Sequence, residues 1–108
     1  LKQSTKQRFT AFDFDYPAPE LETSILAKET GLAEGTAAKL VKIGQVGRNL
    51  KGHGLDEGIS TRLLVYAATL IKRGVDAQDA CRMALVRPIT DDADVRATLD
   101  HAIDTTFV

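Results

Sequence analysis

The sequence predicts a mainly α-helical bundle of about four to five helices, preceded by one β-strand. Three observations carry this. From residue 18 onward, apolar residues recur at three- and four-residue spacing, the period of a helix face. Before that, Phe12, Phe14 and Tyr16 alternate with Asp13 and Asp15, the period of a half-buried strand, and Pro17 ends the run. Finally, the helical stretch is punctuated by residues that start and stop helices: Gly31, Gly74 and Pro88 as stops, Ser60, Asp76 and Thr90 as caps.

The elements follow in order. Leu1 to Phe9 is polar and basic, with Lys2, Lys6 and Arg8, and Thr10 to Tyr16 is the strand. The remaining sequence offers no second strand of comparable quality, and a lone strand cannot satisfy its backbone groups. The expectation is that its sheet lies elsewhere, so that the chain is the C-terminal part of a longer protein. A start at Leu1 rather than Met agrees with that expectation. Pro19 suits the first position of a helix, Glu20 and Glu22 suit its positive end, and Leu21 and Ile25 share a face. Gly31 is a left-handed stop, with Leu32 placed to fold back. A second helix spans roughly Ala33 to Leu50. Its stripe is Ala37, Leu40, Val41 and Gly44, with Ile43, Val46 and Leu50 beside it, and Gly44 and Gly47 leave room for close packing. A glycine-rich loop from Asn49 to Gly58 surrounds His53. The third helix is capped by Ser60, buries Leu63, Ala67, Leu70 and Ile71, and stops at Gly74. Asp76, with Asp79 three residues on, caps a fourth helix with Ala80, Met83 and Ala84 inward. Thr90 caps a fifth, with Val95, Leu99, Ala102 and Ile103 inward.

Composition bounds the function. The chain has 108 residues, one domain or less. A net charge of −1 lacks the basic excess of a nucleic-acid binder, and no helix carries a basic recognition face. No apolar run has the length of a membrane span and no signal-peptide pattern opens the chain. The single cysteine, Cys81, excludes an internal disulfide and fits a reducing compartment. It lies on an apolar helix face, where an inert core residue is the expected reading. His53 and His101 share no metal-ligand spacing with Cys81 or with each other. Asp13 and Asp15 could form an acid–base pair, but charges on an edge strand also resist aggregation, which is the favoured reading. No GxxxxGK[ST] phosphate loop is present, so the chain lacks the parts to bind and hydrolyse a nucleotide alone.

One feature invites chemistry. Arg62 stands in the first turn of the Ser60-capped helix, where about half a positive charge and unpaired N–H groups already gather. Such a site attracts phosphate. From spacing alone, the favoured alternative is that Arg62 pairs with Asp56 or Glu57 or points into water. Lys2, Lys6 and Arg8 likewise read as a solvated basic turn.

Three stretches resemble a known family. Leu1-Lys2-Gln3-Ser4-Thr5-Lys6-Gln7-Arg8-Phe9, Phe12-Asp13-Phe14-Asp15-Tyr16-Pro17, and the run from Leu50 through Gly58-Ile59-Ser60-Thr61-Arg62 to Ala68 look like the C-terminal part of the CbbQ/NirQ/NorQ proteins, AAA+ ATPases of the MoxR group. The resemblance covers nearly the whole chain and is most specific in its middle third. It implies that residues 1–17 are the end of the AAA+ core, with its last strand, and that residues 18–108 are the helical lid domain. Arg8 then matches the arginine finger that reaches a neighbouring subunit's γ-phosphate, with Lys6 standing where such proteins often carry arginine. Arg62 matches the sensor-2 arginine, with Ser60 and Thr61 beside it at the cofactor. Guanidinium suits both roles because it is always charged and holds phosphate oxygens in a fork.

The resemblance also implies ATP and Mg²⁺ in the parent protein, with neither held tightly by this chain alone. It implies a hexameric ring, a von Willebrand factor A-domain partner, a cytoplasmic location, and an activase role toward ribulose bisphosphate carboxylase or nitric oxide reductase. The competing expectation is a self-contained helical module that binds another protein without nucleotide chemistry.

Overall fold

The computed structural model describes residues 16–52 and 58–108. Every regular element among them is helical: α1 (Pro19–Thr30), α2 (Glu34–Asn49), α3 (Thr61–Lys72), α4 (Ala77–Cys81), which runs into a π-helical turn at Arg82–Val86, and α5 (Ala93–Thr106). The mainly α prediction holds. The strand expected at Thr10 to Tyr16 lies outside the described residues except for Tyr16, which leads irregularly into α1.

α1 packs on α2 and α3, α2 and α3 pack on each other, α3 rests on α4 and the π turn, and α5 closes the bundle against α2. Leu26, Leu40, Ile43, Ile59, Leu64, Leu85, Leu99 and Ile103 are all but fully buried where these helices meet.

The helix ends follow local chemistry. Gly31 closes α1 at φ 78°, donating its N–H to the Ala27 carbonyl at 2.8 Å. That left-handed conformation is open to glycine at no steric cost. Ser60 caps α3 and Asp76 caps α4, each accepting from the N–H three residues on, Leu63 and Asp79. The fifth helix starts later than expected. Asp92, not Thr90, is the cap, accepting from the N–H groups of Asp94 and Val95, while Thr90 accepts from the Asp92 N–H. A carboxylate is the stronger acceptor, so it takes the helix end and leaves the hydroxyl the turn before it.

Three inward faces differ from the periodic reading. On α1, Leu21 is 57% exposed and the inward line is Glu22 and Leu26. On α3, Leu64, Ala67 and Ala68 are buried, while Leu63, Leu70 and Ile71 are half-buried, because α3 is sandwiched between α1 and α2 on one side and α4 with the π turn on the other. On the fourth helix, Met83 points out and Leu85 and Val86 point in. The π turn closes with the Arg87 N–H on the Arg82 carbonyl, five residues back, at 3.1 Å. Its extra residue shifts the register by which sequence spacing had placed Met83 inside.

Candidate functional site

The first turn of α3 is set up by its own sequence. Ser60 has extended backbone, and its hydroxyl accepts the Leu63 N–H at 3.2 Å. No acidic residue occupies that turn, and Arg62 projects from it exposed. A cation at a positive helix end is locally unfavourable, so the turn is a place where an anion is welcome. Asp56 and Glu57, the alternative partners for Arg62, lie outside the described residues.

Behind this turn sits a buried ion pair that sequence reading missed. Glu22 is fully buried in the first turn of α1. Arg48, in the last turn of α2, donates from both terminal nitrogens to its two carboxylate oxygens, at 2.7 and 2.6 Å. The Thr61 hydroxyl donates to the same carboxylate at 2.6 Å. The third guanidinium nitrogen, Nε, donates to the Ile59 carbonyl at 2.9 Å, and the Tyr16 ring lies 3.8 Å from the guanidinium carbon. Burial pushes the Glu22 carboxyl up, but the hydrogen bonds from Arg48 and Thr61 and the charge of Arg48 outweigh it and hold the group below the usual carboxylate range. Glu22 therefore remains a carboxylate, shared between the positive ends of α1 and α3.

Two glycines let this cluster close. A Cβ on Gly47 would lie 2.6 Å from Cγ1 of Ile59, and one on Gly58 would lie 3.0 Å from the Tyr16 hydroxyl and 3.3 Å from Cα of Arg48.

The other candidates fall elsewhere. Arg8, Lys2, Lys6 and His53 lie outside the described residues. Ser60 and Thr61 reach the turn as expected, but each hydroxyl already has an intramolecular partner, the Leu63 N–H and Glu22. Cys81 is buried and its thiol is pushed up to about 12, chiefly by burial, with the Arg82 charge opposing and Asp76 adding to it, so it stays an unreactive thiol. His101 is exposed and lines an open groove of about 520 Å³ between α2 and α5, together with Lys39, Lys42 and Val46. Among the described residues no three His, Cys, Asp or Glu side chains cluster to hold a metal ion. No described helix is long and apolar enough to cross a membrane.

Arg48 carried a usable signal. It continues the α2 stripe at Ala37, Leu40, Val41 and Gly44 by one more step of four, and Glu22 stands four before Leu26. Opposite charges that extend two apolar stripes are candidates for a buried pair.

Fold and site together define a small helical domain in which a buried ion pair holds the N-terminal turn of one helix, with an exposed arginine on that turn. The chain belongs to the CbbQ/NirQ/NorQ family: the model described as CbbQ/NirQ/NorQ C-terminal matches residues 22–106, a span that holds Glu22, Arg48 and Arg62. Over 99% of its length the chain is 61% identical to Protein CbbQ of Hydrogenophilus thermoluteolus. It is 50% identical over 96% of its length to Denitrification regulatory protein NirQ of Pseudomonas aeruginosa, and 48% identical over 92% to Protein NorQ of Paracoccus denitrificans. It covers 40%, 40% and 37% of those three proteins, so it spans about two fifths of the relatives it matches.

Proposed function

We propose that this chain is the helical lid of an AAA+ ATPase of the MoxR group, with residues 1–17 the end of the nucleotide-binding core and 18–108 the lid. Arg62 contacts an ATP phosphate from the first turn of α3, and Arg8 reaches the nucleotide of the neighbouring subunit. The observation that carries this reading is an exposed arginine on a helix N-terminus that lacks an acidic residue in its first turn and whose start is gripped by a buried ion pair. A guanidinium and free N–H groups fit an anionic phosphate. Magnesium would be held by the part of the parent outside the described residues, which offer no carboxylate cluster for it.

The parent protein would then be a cytoplasmic, ATP-driven activase working as a hexameric ring with a von Willebrand factor A-domain partner. Its target would be ribulose bisphosphate carboxylase or nitric oxide reductase. The name of the NirQ relative, a denitrification regulatory protein, agrees with a regulatory task. In phosphoryl transfer, the protein's work is positioning and charge stabilisation. Arg62 supplies the second and the Glu22–Arg48 cluster the first.

The test is ATP turnover by the full-length ring. Arg62→Ala and Arg8→Ala should each lower it by about tenfold or more, below the range known for arginine fingers in fast nucleotide hydrolases. Arg8→Ala chains mixed with chains lacking the phosphate-loop lysine should regain activity, because complete sites form where the two meet. Wild-type turnover by both single variants in assembled rings would leave the alternative, an interaction module, for which the α2–α5 groove is the natural surface.

A further inference from the structure

The chain entering α3 is held at four consecutive residues. Gly58 packs against Tyr16 and Arg48 so closely that a Cβ there would lie 3.0 Å from the Tyr16 hydroxyl and 3.3 Å from Cα of Arg48. Ile59 is fully buried and its carbonyl accepts from Arg48. Ser60 caps the helix, and Thr61 donates to Glu22. The next residue is Arg62. Three of these four grips run through Arg48 or the carboxylate it holds. A guanidinium can do this because its donors are fixed in a plane and its face is free to stack.

Tyr16 is the unexpected member. It lies in no helix, is 37% exposed, and stands immediately before Pro17 and Pro19, whose fixed φ angles stiffen the entry to α1. A ring so placed adds little to the helical core, yet it covers the guanidinium that, with Glu22, ties α1, α2 and the start of α3 together.

We propose that Tyr16 and Arg48 are positioning residues: the ring of Tyr16, through the Arg48 guanidinium, sets where the first turn of α3 and Arg62 stand relative to the segment that precedes α1. A displacement of that segment moves the ring, the ring moves the guanidinium, and the guanidinium carries the Ile59 carbonyl and the Glu22–Thr61 contact with it. The consequence for turnover rests on Arg62 contacting phosphate; the mechanical link does not.

Two measurements on the full-length protein separate them. The first is amide exchange at Leu63 and Leu64, whose N–H groups bond to the Ser60 hydroxyl and carbonyl. Tyr16→Leu should speed exchange there and leave the α5 core amides unchanged, while Tyr16→Phe, which keeps the ring, should exchange like wild type. Equal behaviour of the two variants at Leu63 and Leu64, or faster exchange spread evenly over the domain, overturns the link whatever Arg62 does.

The second is ATP turnover at saturation. Tyr16→Leu should lower kcat about threefold to tenfold, the scale of a cation–π contact, and Tyr16→Phe should restore it. In an Arg62→Ala background, Tyr16→Leu should lower kcat no further, because a residue acting through Arg62 has nothing left to position. An undiminished further loss in the double variant overturns the proposal. Wild-type kcat for Arg62→Ala, with the exchange result as expected, would remove the phosphate reading and leave the link standing.

Discussion

Among the described residues there are two arginine–carboxylate clusters with the same chemistry and opposite surroundings. Arg48 and Glu22 are side chains 10% and 0% exposed, joined by two parallel hydrogen bonds. Arg82, at the start of the π turn, reaches Asp100 at 3.3 Å and Asp104 at 2.5 Å, two residues one turn apart on α5, with the three side chains 30%, 42% and 54% exposed. Water decides what each is worth. An exposed pair exchanges hydration for little gain. A buried pair is costly to assemble and still more costly to break, because one partner then stays charged in the interior. The exposed cluster fastens α5 to the π turn and could be lost quietly. The buried one anchors the first turn of α3, so stability and the geometry of that turn cannot be separated.

The largest expected effect therefore comes from Glu22→Gln. It keeps shape and size but leaves the Arg48 charge uncompensated, at a cost of about 3–5 kcal/mol, a large share of the stability of a small domain. Urea unfolding followed by circular dichroism measures it. Acid should act through the same group. Because the folded-state pKa of Glu22 is lowered, its contribution is fully present above the ordinary carboxylate range and is lost as pH falls through the depressed folded value. Wild type should lose this stability on acidification, and Glu22→Gln should lack that part of the pH dependence. If the two proteins unfold at the same urea concentration at neutral pH, burial does not distinguish the clusters.

Next in size is the packing that lets the buried cluster form. Gly47→Ala places a methyl 2.6 Å from Ile59 Cγ1, and Ile59 is fully buried, so it has little room to move. Overpacking of this kind costs about 1–3 kcal/mol, against about 1 kcal/mol gained by replacing a helical glycine. At Gly44 the nearest atom is the end of Leu64, at 3.0 Å, which can yield by a few tenths of an ångström. Gly47→Ala should lower the thermal midpoint and Gly44→Ala should leave it nearly unchanged. The reverse order would mean that the α2–α3 approach, rather than the seat of Ile59, is the tighter constraint.

How much of this was legible in the sequence depends on the distance over which each feature is determined. The Gly31 stop and the Ser60 and Asp76 caps were legible because each is a bargain between a residue and its neighbours within one turn. The inward faces were not. Glu22 read as a carboxylate suited to the positive end of its helix, and only Arg48, 26 residues later, makes it an interior one. Met83 read as core because nothing local announces a π turn. Arg62 was visible as a cation in an odd place, and its exposed position in the first turn of α3 is where the spacing put it. What lay beyond local reading was the ion pair behind it, since it consists of contacts between distant segments.

The smallest effect should come from Asp104→Asn. The Arg82–Asp104 contact is short, and its hydrogen bond is the main reason the Arg82 pKa is raised, but both side chains are open to solvent and Asp100 remains as a second acceptor. Exposed pairs contribute about 0–1 kcal/mol, and an arginine stays charged at any ordinary pH. The variant should unfold within about 1 kcal/mol of wild type. Salt sharpens the contrast. At about 1 M ionic strength, screening acts over roughly 3 Å, so whatever deficit Asp104→Asn shows should fade in sodium chloride. The Glu22→Gln deficit should persist, because ions do not enter the space between α1, α2 and α3. Two deficits that shrink in parallel with added salt would mean that the Glu22 pair is solvated after all and that the start of α3 is held by packing around Ile59 instead.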